Sequence, residues 1–392
     1  MSGNRNMKKS KEKILFIIPS ASINGAVIVL MHFYDYLSDH YPDIEIETIA
    51  QWGIGTDTDS FYRNALSKYG RMTFMQELSE IEKEELEIRV LEEDIAAIFF
   101  NSIISIYAQQ FFFRKQCKRI FFVHEMEWVM NICDIKKYTK YYKDENNLFI
   151  ACSDSVKQAL VNVLNLSEDK IEVLYSFINP DSIKNGPQEF LEISQEPTNT
   201  QPAVKKQFTI GFSGTFELRK SADLLLPLVI EIKKKIANPK IFWIGASPFL
   251  VEPRTFNLIM HDVKIGGFEK DVHFIPKSID HFKYYKQFDV FVMISREDPF
   301  PLVNLEMGAL GIPVICFDKS GGSSFYVNHG CGVTAPFMDI SAVADEIYKL
   351  YSTPQLLDNY KKNTPQIVKD NFSVKVQAPK LLKIIRNFYK TN

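Results

Sequence analysis

The sequence predicts two doubly wound α/β domains in tandem. Short runs of β-branched and aromatic residues alternate with helical patterns along the 392-residue chain. A polar, proline-bearing stretch at residues 185–207, NGPQEFLEISQEPTNTQPAVKKQ, interrupts the alternation and reads as an interdomain linker. The alternation then restarts. A chain of this length holds two domains at the usual size of about 100–200 residues each.

In the first half the strand candidates are ILFII, IEIETI, IAAIFF, RIFFV, LFIA and IEVL. Between them lie the helical stretches AVIVLMHFYDYL, EIEKEELEIRVL, AQQFFFRKQ and SDSVKQALVNVL, the last capped by Ser153. In the second half FTIGF, KIFWIG, VHFI, VFVMI, PVICF and GVTAP read as strands. Helices are expected at about 221–237, around 279–287, over LVNLEMGAL, and at about 340–352 and 374–389. Alternation of this kind implies parallel sheets covered on both faces, with ligands beyond the carboxyl ends of the strands. Two such crests would face each other across a cleft.

The opening KKSKEK-ILFIIPSASINGAVIVLM has the outline of a signal peptide or anchor. Pro19, Ser20, Ser22 and Asn24 break the apolar run, so the reading is strand (14–18), glycine loop (19–25) and helix (26–39). Five scattered cysteines form no C-x-x-C pair and suggest a reducing compartment, hence a cytoplasmic location. The net charge of −2 excludes any global demand for nucleic acid. The basic tail MSGNRNMKKSKEK and the lysine run at 233–235 read as a solvated tail and a solvated helix face; peripheral contact with anionic lipid is the alternative.

Several chemistries find no support. No G-x-G-x-x-G follows a strand and no G-x-x-x-x-G-K-[ST] occurs, which disfavours a Rossmann oxidoreductase and a P-loop enzyme. HEMEW, from His124, starts like H-E-x-x-H but carries Trp128 at the second histidine position. The histidines form no ligand cluster, so no metal is expected.

Two stretches remain. In GFSGTFELRKSADLLL, a strand runs into a tight turn at Gly214, and Arg219 and Lys220 follow at the expected mouth of a helix. A basic pair beside helix-terminal N–H groups suits a phosphate, and without an anion it is electrostatically disfavoured there. In SREDPFPLVNLEMGALGIPVICFD, a strand ends at Ser295 and a helix begins near Pro301, a residue suited to a first helical turn. Its leading N–H groups, at Leu302 and Val303, would point back toward the site. Glu306 lies on an otherwise apolar helix and could hold sugar hydroxyls or merely pair with a lysine. From spacing alone, Glu297 and Asp298 remain rivals as its partner acid.

The segment SREDPFPLVNLEMGALGIPVICFDKSGG, residues 295–322, resembles the nucleotide-sugar signature of the retaining family 4 glycosyltransferases, which have the GT-B fold. That signature is an acid, seven residues and Glu, then a small-residue helix, G-x-P-V and a glycine-rich turn. GFSGTFELRKSADLLL is similar to the family's phosphate-binding turn, with Ser221 in place of the usual glycine and Thr215 where many members carry arginine. INGA (23–26), FVHEME and the segment from FIACSDSVKQALVNVL to FINPD resemble further parts of the family.

The resemblance implies domains at 14–184 and 208–372 and a final helix, 373–392, that crosses back to the first domain. It implies that Arg219 and Lys220 hold the donor diphosphate, that Glu306 binds the ribose and that Asp298 contacts the sugar. Phe300, Pro301, Leu302 and Val303 would line the site with backbone groups, and Gly214 would form the phosphate turn. His124 would approach the sugar from the other domain, Gly25 would let the first loop near the phosphates, and the loop at Pro276 would meet the base. The resemblance selects Asp298 over Glu297, although Asp298 is one methylene shorter than the common Glu and Pro299 and Pro301 replace frequent glycines. It implies a metal-independent retaining transferase that uses a UDP or GDP sugar and a glycan or glycolipid acceptor. A GT-B sugar-nucleotide epimerase and a non-catalytic nucleotide-sugar-binding subunit are the alternatives.

Overall fold

The computed structural model describes residues 12–21, 24–52, 63–107, 111–185, 207–246, 253–276 and 281–390. The chain splits into two compact units, Met1–Tyr175 with Gln377–Asn392, and Ser176–Val376. Most of the basic tail and of the expected linker lies outside the described residues.

The first unit is built on β1 (Glu12–Ser20), β2 (Ile44–Trp52), β3 (Gly70–Phe74), β4 (Ala97–Phe100), β5 (Lys118–Val123), β6 (Asn147–Ala151) and β7 (Ile171–Val173). They form a seven-stranded sheet in the order β3-β2-β1-β4-β5-β6-β7, and every pairing is parallel. The order reverses between β1 and β4. Ile14 to Ile18 are fully buried, as a central parallel strand covered on both faces requires. Helix α1 (Gly25–His40) follows β1, with the Asn24 side chain accepting a hydrogen bond from the Val27 N–H at 2.9 Å. The first apolar segment is thus a sheet strand followed by a packed helix. Among the described residues no helix is long and apolar enough to cross a membrane.

Phenylalanines hold β4, β5 and β6 together. Phe100 stacks on Phe121 at 4.6 Å, and Phe121 stacks on Phe149 at 5.1 Å, each pair directly opposite in the strand register. Helices α2 (Glu80–Glu92) and α3 (Asp154–Leu164) lie where helical periodicity places them, each starting at a serine cap. AQQFFFRKQ, expected as a helix, keeps only the single turn Phe111–Arg114 among the described residues. Its phenylalanines are drawn into the core, Phe111 and Phe112 being buried.

The second unit carries β8 (Thr209–Ser213), β9 (Lys240–Ile244), β10 (Val272–Ile275), β11 (Val290–Met293), β12 (Val314–Phe317) and β13 (Gly332–Ala335) in the parallel order β10-β9-β8-β11-β12-β13. The order reverses between β8 and β11. Its helices are α4 (Pro180–Asn185), α5 (Leu225–Lys235), α6 (Pro253–Ile265), α7 (Leu302–Ala309), α8 (Ile340–Ser352), α9 (Pro354–Asn371) and the start of α10 (Val374–Lys390), with short helical turns at Phe282–Tyr285 and Gly322–Tyr326. A core of Phe212, Trp243, Leu228, Val292, Phe317 and Ile347 joins sheet and helices.

Several elements differ from expectation. β3, GRMTF, is an edge strand exposed along half its length, so it lacks the apolar run that marks the others. α6 and α9 were not anticipated. The whole of α9 reads as polar, and Pro365 stands inside it. The first unit ends at Tyr175 and not at residue 184. Ile178 forms a parallel bridge with Ser373, which ties the following residues into the second unit. The final helix is divided: Gln377–Asn392 groups with the first unit, where Arg386 pairs with Glu12 at 3.1 Å. The lysine run at 233–235 is not merely solvated, because Lys233, Lys234 and Lys235 pair with Asp271, Glu231 and Asp345.

Phe121 is the middle ring of the stack. Phe121→Ala is expected to destabilise the first unit by about 3–5 kcal/mol, read as a lowered urea midpoint for its unfolding transition, and Phe121→Leu by distinctly less.

Candidate active site

The site is assembled at the carboxyl ends of β8 and β11, where the second sheet reverses its order, the position at which open α/β sheets place ligands. β8 ends in a turn at Gly214, whose φ of +137° favours glycine. Its N–H donates to the Ile244 carbonyl at 2.9 Å, and its carbonyl accepts from the Trp243 indole N–H at 3.0 Å. The Lys220 stem lies across the open side of Gly214, where an added Cβ would meet the Lys220 side chain at 3.4 Å. Gly245, at φ +97°, comes so close to the Gly214 carbonyl that a Cβ there would meet it at 2.7 Å.

Arg219 and Lys220 occupy a single 3₁₀ turn, Leu218–Lys220, and α5 starts only at Leu225. They are therefore not at the mouth of an α-helix, as the sequence suggested, and their charges are balanced by acids within the chain. Arg219 donates to the Glu217 carboxylate at 2.8 Å and to the Glu297 carbonyl at 3.1 Å. Lys220 forms a close ion pair with Asp298, both side chains being largely buried. Breaking such a pair by removing one member typically costs about 3–5 kcal/mol. Ser221 closes the turn at φ 59°, in the left-handed region, so the glycine usual at this position has a conformational reason. Serine tolerates the position, and its hydroxyl accepts from Arg296 at 3.3 Å.

Beyond β11 the loop 295–301 is held by a second loop, 318–322. The Asp298 N–H donates to the Ser320 carbonyl at 2.7 Å, and the Gly322 N–H donates to the Asp298 carbonyl at 3.0 Å. A Cβ on Gly322 would strike the Pro299 carbonyl at 2.3 Å, so glycine permits this close approach. Pro301 sits one residue before α7, in extended conformation, and contributes no capping side chain. The first-turn amides at Leu302 and Val303 thus have no side-chain cap. The Phe300 ring is buried against Phe372 and Phe325, leaving its backbone as the part available to a ligand.

Glu306 is buried on α7, and among the described residues its carboxylate makes no hydrogen bond and no ion pair. Burial raises its pKa, an effect opposed by His281. Asn304, also buried, donates to the Ser323 hydroxyl at 3.0 Å and leaves its carbonyl oxygen unpartnered among the described residues. A buried carboxylate without donors is costly unless something supplies them.

The remaining expected residues lie elsewhere. Pro276 is exposed just after the edge strand β10, and Lys277 is outside the described residues. Packing links that strand to the Gly214 turn: Phe274 meets Phe216 at 5.4 Å, and Phe216 meets Trp243 at 4.9 Å. Gly25 and His124 belong to the first unit. Gly25 opens α1 beside the Asn24 cap. The His124 ring packs on Phe122 at 4.2 Å, with Nε2 buried and unpartnered among the described residues, and burial lowers its pKa to about 3. It is therefore a neutral imidazole at physiological pH.

Sequence reasoning missed Glu125, whose part-buried carboxylate accepts from the Ser102 hydroxyl and from the Ile103 and His124 amides, the latter two at 3.1 Å. It also missed Glu217, Asp223 and Arg296, which surround the basic turn. The adjacency of charged residues to LRK and to EDPF was the only available signal, and local spacing does not reveal partners 73 residues apart.

The raised pKa of Glu306 has a consequence for stability. Its folded-state value lies above the unfolded one, so stability is full below the unfolded carboxyl range and is lost as pH rises through the raised value. Glu306→Gln is expected to raise the melting temperature at pH 8 and to change it little at pH 4. An equal change at both pH values in thermal melts would refute the buried-charge account.

Residues 194–367 match the family model of glycosyl transferases group 1. A curated relative, the capsular polysaccharide biosynthesis glycosyltransferase CapM of Staphylococcus aureus, is 26% identical over 243 residues, covering 62% of each chain. An uncharacterized 41.2 kDa protein of the Klebsiella pneumoniae cps region is 25% identical over 252 residues, 62% of this chain and 63% of that one. The matches thus span less than two thirds of these relatives' own length. Among solved structures, Anabaena Alr3699/HepE in complex with UDP and glucose superposes with a TM-score of 0.75 at 16% identity, covering 96% of this chain and 100% of that one. A glycosyltransferase from Rickettsia africae gives a TM-score of 0.74 at 16% identity, with 97% and 100% coverage. Two Rossmann-like parallel-sheet units with these neighbours make this a GT-B fold, and the segment that carries the site matches glycosyl transferases group 1.

Proposed function

We propose that this chain is a retaining glycosyltransferase that moves a sugar from a nucleoside-diphosphate sugar to a hydroxyl of a glycan or glycolipid acceptor in cell-surface polysaccharide synthesis. The observation that carries the proposal is the Lys220–Asp298 pair at the reversal point of the second sheet, with the buried, unbonded carboxylate of Glu306 on the helix that follows. A cation group, uncapped helix amides and a lone acceptor carboxylate are the three features that diphosphate, sugar and ribose require. The cell-surface destination is supported by the capsular relative and the UDP-type donor by the UDP-bound Anabaena neighbour.

In the proposed reaction the bond between the anomeric carbon and the β-phosphate oxygen breaks, and its electron pair leaves with the diphosphate. The acceptor oxygen bonds to the anomeric carbon on the same face, and its proton passes to the departing diphosphate. Arg219, Lys220 and the amides at Leu302 and Val303 stabilise the developing charge, so the proposal needs no metal. Donor binding must draw Lys220 partly away from Asp298, and the freed carboxylate then meets sugar hydroxyls. Glu306 accepts from the ribose hydroxyls. Neutral His124 serves as a hydrogen-bonding partner to the sugar. Gly25 and the loop at Pro276 complete the donor contacts. The site of action is proposed to be the cytoplasm or the inner membrane surface.

The double variant Arg219→Ala with Lys220→Ala is expected to abolish transfer and to weaken nucleotide binding in calorimetry by about tenfold or more, a loss of 1.4 kcal/mol or above. Unchanged affinity in a variant that still melts cooperatively would sink the phosphate assignment. Asp298→Asn is expected to lose more transfer activity than Glu297→Gln, because the Asp298 carboxylate is the one paired with Lys220 at the turn. The reverse order in steady-state rates would return Glu297 to the role of partner acid.

A further inference from the structure

Arg296 makes more contacts to the basic turn than any site assignment accounts for. Its guanidinium spans the turn from Leu218 to Asp223. Nη1 donates to the Leu218 carbonyl and to Asp223 Oδ1 at 2.8 Å, with a longer contact to the Ser221 hydroxyl at 3.3 Å. Nη2 donates to Asp223 Oδ2 at 2.7 Å, which makes the carboxylate contact bidentate. The backbone adds a further tie, as the Arg296 N–H donates to the Arg219 carbonyl at 2.9 Å. One residue, two positions before Asp298, thus grips both sides of the turn that bears Arg219 and Lys220.

The turn needs such a grip. It consists of two short 3₁₀ turns, Leu218–Lys220 and Ala222–Leu224, joined at Ser221, a non-glycine residue in the left-handed region, so the side-chain tie from Arg296 to both turns adds to their few backbone bonds. The pairing also holds the Asp223 carboxyl below its usual range. Only a planar fork reaches the carbonyl and both carboxylate oxygens together; an ammonium supplies a point charge without that geometry.

We propose that Arg296 is a positioning residue that fixes the Leu218–Asp223 turn and thereby holds the Arg219 and Lys220 cations where a donor diphosphate meets them. Arg296 acts through the turn and does not touch the diphosphate. The inference rests on the diphosphate reading above and adds a residue that reading did not include.

The test compares the wild-type chain with Arg296→Met, Arg296→Lys and Asp223→Asn. Calorimetry measures binding of inorganic pyrophosphate, of UDP and GDP, and of uridine and guanosine, with a thermal melt of each variant. Arg296→Met is expected to weaken pyrophosphate and the better nucleoside diphosphate by about tenfold. The matching nucleoside should stay within about twofold, because it lacks the groups the cations hold. Arg296→Lys and Asp223→Asn should fall between wild type and Arg296→Met, and they carry the comparison if Arg296→Met does not fold. Wild-type affinity for pyrophosphate in these folded variants overturns the proposal. So does an equal loss for nucleoside and diphosphate, which would mark general loosening of the unit. Failure of the wild-type chain to bind pyrophosphate, UDP or GDP overturns the diphosphate reading itself, and this inference with it.

Discussion

The parallel pairing of β8 with β11 is the constraint on which the candidate site depends. These strands are separated in sequence by α5, β9, α6 and β10, yet they lie side by side where the sheet order reverses. Their carboxyl ends therefore deliver two loops to one place, and residues 78 apart, Lys220 and Asp298, become an ion pair. Helices on either side of the reversal run in opposite directions from it, so the loops are not covered by a crossover. Glycines at 245 and 322 allow the backbones to approach more closely than a side chain would permit, and Gly214 supplies the positive φ that ends β8.

Charge at this crest is balanced before any ligand arrives. Arg219 has Glu217, Lys220 has Asp298 and Arg296 has Asp223. Such pairing offsets part of the desolvation penalty that partly buried cations incur. In the proposed reaction an incoming diphosphate would compete with carboxylates of the chain, and the net gain on binding would be the difference between two sets of charge-assisted bonds. Glu306 is the exception. It is buried, bonded to none of the described residues and raised in pKa, and so is poorly placed for stability and well placed to accept hydroxyl donors. Under the proposed reading, function and stability pull in opposite directions at that position.

Much of the fold was legible because parallel strands buried on both faces read as continuous apolar runs. ILFII, RIFFV and PVICF each became sheet strands. What escaped notice lacked that mark. The edge strand GRMTF is half exposed. Helix α9 carries Pro365 and few apolar residues, and its place is set by packing of Leu357, Thr364 and Val368. The phenylalanines of AQQFFFRKQ suggested a longer helix; among the described residues they form one helical turn, with Phe111 and Phe112 buried in the core.

The candidate site divides in the same way. By itself the sequence determined which residue types stand near each strand end: the LRK turn after FTIGF, the acids and prolines after VFVMI, and a lone glutamate on an apolar helix. Those follow from local composition, which the chain carries wherever it folds. Only the tertiary structure decided that Lys220 meets Asp298, that Arg219 meets Glu297 through a carbonyl, and that Arg296 spans the turn to Asp223. Each of these contacts joins segments brought together by the β8–β11 pairing, and no local period or spacing encodes which distant charge will lie opposite another once the sheet has formed.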